Sequence, residues 1–204
     1  MTPHPRTLAC VLAAACFAPP ATRAQTPTPA APFEQTLGLH GISFHVTCAN
    51  DSPTPTLTIA PAHLAIDNTP MTRTVTGRVA LAEVADLNAD GSPEIYVYVA
   101  RGGQTPGTDL VAFSANRKKS LSEIVLPPVE PGTPAAEGYR GRDTLHVVTS
   151  TLVRRFPVYK PGDPDDHPTG GTRQIAYTLA QGEATWVLRP GRARTLPDRP
   201  GAAR

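Results

Sequence analysis

The chain has 204 residues, carries 19 basic and 17 acidic side chains, and contains 24 prolines. This length suits one domain with one core, and the prolines argue against a helical protein because proline breaks helices. The near balance of charge excludes the strongly basic composition that is typical of nucleic-acid-binding proteins.

An apolar run close to the N-terminus predicts export. Residues 8–18 are apolar and follow Arg6, and the segment 22–24 offers the small residues that signal peptidase requires. The run is shorter than the roughly 20 residues that cross a bilayer. We therefore expect residues 1–24 to be a cleaved signal peptide and no membrane span to remain. Lipoprotein anchoring at Cys16 is the less favoured alternative, because the leucine that usually lies three positions upstream is missing.

The remaining chain predicts one β-domain between two irregular segments. Residues 25–36 are rich in proline, threonine and alanine and are expected to form a linker. Over residues 37–189, eight or nine short segments show apolar side chains with a period of two, and Gly, Pro, Asp and Asn clusters separate them. This pattern predicts an all-β fold, a single antiparallel β-sandwich with one face of each sheet in the core and one in water.

Charge and cysteine usage limit the partners. Residues 190–204 contain arginines and prolines without an apolar pattern, so we expect a disordered basic tail and a net negative domain before it. A negative domain suits a basic partner protein better than nucleic acid. Cys48 is the single cysteine left after residue 24 and cannot form an internal disulfide. We expect a buried thiol, with a bridged homodimer as the alternative.

The sequence contains none of the common catalytic motifs. It has no His-Glu-x-x-His, no Cys-x-x-Cys, no Gly-x-Ser-x-Gly and no phosphate-binding glycine loop. Asp163, Asp165 and Asp166 lie in a turn-rich segment, and nothing there predicts the burial that perturbs carboxylates. The sequence therefore predicts a protein that is not an enzyme and that needs no cofactor for catalysis.

One acidic turn has the spacing of a calcium-binding loop. Asp86, Asn88 and Asp90 occupy alternate positions before a glycine, and Glu94 follows. Calcium loops use oxygen ligands at such positions, but Val97 stands where an EF-hand has its bidentate glutamate. The favoured interpretation is a hairpin turn whose polar side chains accept backbone N–H groups. A structural calcium site formed by Asp86, Asn88, Asp90 and Glu94 is the alternative.

The order and spacing of seven segments resemble the periplasmic inhibitors of invertebrate-type lysozyme. These segments are residues 83–94, 110–116, 119–124, 138–143, 155–159, 168–173 and 182–186. The resemblance covers about residues 37–188. It implies an antiparallel β-sandwich, a periplasmic location, and inhibition through protein–protein contact without a cofactor.

The resemblance also implies that loop 101–108 carries the inhibition. Family inhibitors have a serine–glycine motif and a nearby tyrosine in this loop, whereas this chain has neither serine nor tyrosine there. The partner-binding residues would be Arg101, Gly102, Gly103, Gln104, Thr105, Pro106, Gly107 and Thr108. Their hydroxyl and amide donors would bond to the two catalytic carboxyl groups of a lysozyme. The alternative is a non-catalytic β-sandwich module that has lost this motif and binds calcium, a glycan or an envelope protein.

Overall fold

The computed structural model describes residues 30–103 and 106–196. The predicted signal peptide (residues 1–24), the alternative lipid anchor at Cys16, the loop residues Gln104 and Thr105, and the last part of the tail lie outside the described residues. The described part consists of strands, turns and one 3-10 helix of three residues, which confirms the all-β class. No helix in it is long and apolar enough to cross a membrane.

Thirteen strands are present in the described ranges. In chain order they are β1 (Phe33–Leu39), β2 (Ile42–Cys48), β3 (Thr56–Ala62), β4 (Met71–Thr74), β5 (Arg78–Ala85), β6 (Glu94–Arg101), β7 (Gly107–Ser114), β8 (Ser122–Val125), β9 (Thr144–Val148), β10 (Thr151–Pro157), β11 (Thr172–Gln181), β12 (Trp186–Pro190) and β13 (Arg194–Leu196). The 3-10 helix, Asn116–Lys118, lies between β7 and β8.

The strands form two sheets. Strands β1 to β4 make an antiparallel four-stranded sheet in chain order. The other sheet has the order β5-β6-β7-β8-β12-β11-β10-β9, and β13 pairs with the start of β11. Its pairs are antiparallel except for the short parallel pair of β8 and β12. The predicted single-domain sandwich is therefore confirmed in class, with more strands than the eight or nine expected.

The larger sheet curls until its two edge strands meet. The carboxylate of Glu83 on β5 accepts a hydrogen bond of 3.0 Å from the backbone N–H of Val147 on β9. The hydroxyl of Tyr98 donates to the same carboxylate oxygen. An open sheet edge exposes unpaired backbone groups. The Glu83 side chain thus joins both edges and gives the sheet a nearly closed, barrel-like shape.

Strand β6 is buried on both faces. Tyr96 and Tyr98 point into the curl and pack with the cluster that contains Phe156 and Tyr177. Val97 and its apolar neighbours on the other face pack against the four-stranded sheet. The expectation that each strand has one face in water is therefore wrong for β6, because the curl covers one face and the second sheet covers the other.

The ends of the domain differ from the expected boundaries. Strand β1 begins at Phe33, inside the segment expected to be a linker, because Phe33 and Leu37 pack against the core. Strand β13 lies inside the segment expected to be a disordered tail. The thiol of Cys48 is buried, as predicted, and donates to the side-chain oxygen of Asn50 at 3.3 Å.

Candidate functional site

Loop 101–108 leaves the end of a regular hairpin. Strands β6 and β7 pair without interruption from Glu94 and Ser114 to Arg101 and Gly107. Gly102 and Gly103 are exposed, and Gly103 has a positive φ of 81° with open space around its Cα. Strand β6, which is buried on both faces, thus carries a glycine-rich loop directly at its end.

Contacts on both sides fix the base of this loop. Arg101 Nε lies 3.1 Å from Asp109 Oδ1 in an ion pair across the hairpin. A methyl group on Gly107 would lie 2.5 Å from Arg101 Nη2, so the glycine leaves room for the guanidinium group. The carbonyl oxygen of Pro106 accepts a hydrogen bond of 2.9 Å from the backbone N–H of Arg142. The described loop residues are therefore held by their own strands and by the neighbouring segment 139–143.

A buried ion pair supports segment 139–143. The carboxylate of Asp143 is 1% exposed and accepts hydrogen bonds from Arg154 Nε at 2.7 Å and from the Tyr139 hydroxyl at 2.8 Å. Burial and the bond to Asp143 raise the pKa of Tyr139 to about 12. The Tyr139 ring packs edge-on against Phe156 at 4.6 Å between centroids. A rigid polar cluster thus lies directly behind the loop base.

The sequence predicts a partner-binding loop at residues 101–108 but does not predict this support. Arg101, Gly102, Gly103, Pro106, Gly107 and Thr108 lie together at the hairpin end, and Gln104 and Thr105 fall outside the described residues. In the sequence, segment 138–143 is distinguished only by its resemblance to the inhibitor family. No local pattern links Asp143 to Arg154, because their contact depends on the pairing of β9 and β10.

The acidic turn joins β5 to β6 and uses its side chains as backbone acceptors. The two oxygens of Asp86 accept from the N–H groups of Asp90 at 3.1 Å and Gly91 at 2.9 Å. Asn88 Oδ1 also accepts from Asp90 N–H, at 3.3 Å. Ala89 and Gly91 have positive φ angles of 54° and 81°. These bonds confirm the predicted hairpin-turn chemistry, with Ala89 sharing the left-handed backbone with the glycine.

Glu94 lies beneath this turn and is the unusual group in it. The residue is fully buried at 0% exposure. Its Oε2 accepts from Leu87 N–H at 2.8 Å, while Oε1 has no hydrogen-bond partner within the described ranges. Burial, aided by the nearby charges of Asp86 and Asp90, raises the pKa of Glu94 to about 8. One oxygen from each of these three carboxylates lies within 4.8 Å of the others.

A polar cavity of about 880 Å³ lies beside the same turn. It is lined by residues 90–92 of the turn, by the basic run Arg117, Lys118 and Lys119, and by Trp186. Arg117 and Lys118 have positive φ angles of 50° and 56°. The run of three basic residues is visible in the sequence, but its position beside the only tryptophan of the chain depends on the fold.

No family model, curated protein or solved structure matches the chain. The assignment of function therefore depends on the sequence resemblance and on the geometry of the loop, the acidic turn and the basic cavity.

Proposed function

We propose that the mature protein is an exported, periplasmic inhibitor of a lysozyme, of the invertebrate type as the resemblance implies, and that loop 101–108 enters the active-site cleft. The observation that supports this proposal is the fixed base of the loop. The ion pair of Arg101 with Asp109 and the hydrogen bond from Arg142 to Pro106 hold both ends of a glycine-rich segment in which Gly102 and Gly103 are exposed.

A fixed base matters because binding otherwise has to order the loop. Each immobilised side chain costs roughly 0.5–1.5 kcal/mol, and a preorganised loop avoids part of that cost. The glycines have no side chains and therefore add no bulk to the loop. Donors from Gln104, Thr105 and Thr108 then bond to the catalytic carboxyl pair, and such charge-assisted bonds are about twice as strong as neutral ones.

The first experiment measures inhibition of purified invertebrate-type, chicken-type and goose-type lysozymes by the mature protein. The test variant carries Gln104→Glu and Thr105→Glu, which place two negative charges opposite the catalytic carboxyl groups. The matched control carries Thr178→Glu and Gln181→Glu, the same residue types at two exposed positions of β11. Gln181 lines the same cavity as the acidic turn, which precedes β6, whereas the loop follows β6. The control position Gln181 is therefore at the other end of β6 from the loop.

We expect the loop variant to lose at least about tenfold in inhibition, because each tenfold corresponds to about 1.4 kcal/mol and like charges repel in a dry cleft. The control variant should inhibit like the unmodified protein. Equal inhibition by the loop variant would show that another surface binds the enzyme. Absence of inhibition of every lysozyme class at micromolar protein would refute the proposal.

A second candidate function is the binding of an anionic glycan in the basic cavity. Arg117, Lys119 and Trp186 all line the cavity beside the acidic turn, and a cavity that offers cations and an aromatic ring suits a negatively charged sugar. Trp186 is the only tryptophan of the chain, so a change in tryptophan fluorescence reports on the surroundings of this side chain, which include the cavity. Titration with an acidic oligosaccharide distinguishes the two functions, because loop inhibition predicts no change in this signal.

A further inference from the structure

We propose that the acidic turn is a calcium site, with Asp86, Asn88, Asp90 and Glu94 as its protein ligands, and that the bound ion stabilises the start of β6. This inference is independent of lysozyme inhibition. It starts from Glu94, which is buried at 0% exposure and has one oxygen, Oε1, without a hydrogen-bond partner within the described residues.

A buried carboxylate is normally paired with a cation or coordinates a metal. No arginine, lysine or histidine in residues 30–103 and 106–196 forms a salt bridge with Glu94. Its single close donor is Leu87 N–H at 2.8 Å, and the Tyr96 hydroxyl lies at 3.5 Å. The protein itself therefore supplies no positive charge for this carboxylate, and a bound cation would.

The neighbouring oxygens converge on the same place. One oxygen each from Asp86, Asp90 and Glu94 lies within 4.8 Å of the other two. Calcium binds oxygen at about 2.3–2.6 Å, so two ligands of one ion lie at most about 5 Å apart. The distances between the three carboxylates are therefore within the range for ligands of a single ion.

The hydrogen bonds of the turn are compatible with this role. A carboxylate oxygen has two lone pairs and can accept an N–H while it binds a cation. The N–H groups of Asp90 and Gly91 hold the Asp86 carboxylate in place, and Asn88 Oδ1 offers a further oxygen. His40 Nε2, 3.5 Å from Asp86 Oδ2, is the neighbouring nitrogen that a cation would displace.

The ligand set selects calcium among common divalent ions. All four side chains offer oxygen, which suits hard cations and disfavours zinc, which prefers nitrogen and sulfur. Magnesium demands a near-ideal octahedron and gives up its water reluctantly. Without the bidentate glutamate of an EF-hand, the affinity belongs to the weak class of extracellular modules, with a Kd of about 10⁻⁴–10⁻³ M.

The test uses the mature protein, stripped with chelator and then titrated with calcium or magnesium chloride. Thermal unfolding measures the shift in Tm, because a ligand that binds only the folded state must stabilise it. We expect about 10 mM calcium to raise Tm by several degrees and the same concentration of magnesium to raise it by less. Terbium emission sensitised by Tyr96 and competed by calcium gives a second readout that does not depend on stability. Both signals are expected for the unmodified protein.

Three variants separate coordination from folding. Glu94→Gln keeps the acceptor for Leu87 N–H and should lose both signals, and Asp90→Asn, which keeps the acceptor for Ser92 N–H, should weaken both. Glu83→Gln is the matched control, because Glu83 on β5 is another carboxylate that accepts a backbone N–H; this variant should keep both signals. The proposal would be overturned if calcium left the Tm of the unmodified protein unchanged and if no sensitised terbium emission that calcium reduces were seen. Undiminished signals in Glu94→Gln and Asp90→Asn would also overturn it.

Discussion

Replacement of Arg154 by methionine tests the buried ion pair behind the loop. Asp143 is 1% exposed and Arg154 is 8% exposed, with Arg154 Nε 2.7 Å from Asp143 Oδ2. Methionine retains most of the aliphatic packing but removes the cation. Among the described residues, the Asp143 carboxylate then keeps the Tyr139 hydroxyl as its one side-chain donor, at 2.8 and 2.9 Å from its two oxygens. Removing one partner of a buried pair costs about 3–5 kcal/mol.

Urea unfolding of the mature protein measures this loss. With an m-value of about 2 kcal/mol per M, Arg154→Met should lower the midpoint by about 2 M. The double variant Asp143→Asn with Arg154→Met removes both charges and should recover more than about half of the lost free energy of unfolding, because it leaves no buried charge without a partner. A loss below about 1 kcal/mol in the single variant, or no recovery in the double variant, would refute the reasoning.

Two further predictions concern single residues. Glu94 has a folded-state pKa of about 8, above the ordinary value of 4.5. In the presence of chelator, its contribution to the free energy of unfolding is therefore fully present below about pH 4.5 and is lost as the pH rises to about 8. Urea unfolding at several pH values should therefore show that the free energy of unfolding falls more steeply with pH for the unmodified protein than for Glu94→Gln, by a few kcal/mol in total. Parallel plots of this free energy against pH for the two proteins would contradict the burial of this charge. Gly138→Ala should destabilise by several kcal/mol, since its methyl group would lie 2.5 Å from the carbonyl oxygen of Tyr159, whereas Gly132→Ala, with a similar φ and open space, should cost only about 1–2 kcal/mol. Equal midpoints for these two alanine variants in the same assay would exclude the steric explanation.

Local chemistry explains what the sequence predicts well. The hydrogen bonds of Asp86 and Asn88 join residues two to five positions apart, so the turn chemistry could be predicted from the sequence. The period of two likewise predicts the long strands. Short edge strands escape such reasoning: β4 (Met71–Thr74) and β13 (Arg194–Leu196) have almost no apolar alternation and exist because a neighbouring strand offers free backbone groups.

Non-local packing explains what the sequence could not give. Asp143 and Arg154 are residue types that usually lie in water, and only the pairing of β9 with β10 turns them into a buried pair. The unpartnered oxygen of Glu94 is a second case, because spacing alone does not distinguish a solvated carboxylate from a buried one. The segment 94–101 did contain a usable signal. Its uninterrupted apolar and aromatic run is typical of a strand that is buried on both faces.

The loop and the acidic turn lie at opposite ends of one strand. Glu94 begins β6 and Arg101 ends it, and seven steps of about 3.4 Å put these residues roughly 24 Å apart. Strand β6 is buried between two packed cores, so it gives both sites a common rigid support. A ligand shifts an equilibrium only when it binds two states differently. Within the described residues the packing gives β6 a single arrangement, so we expect the proposed calcium ion at one end to act on the stability of the fold and to leave the base of the loop at the other end unchanged.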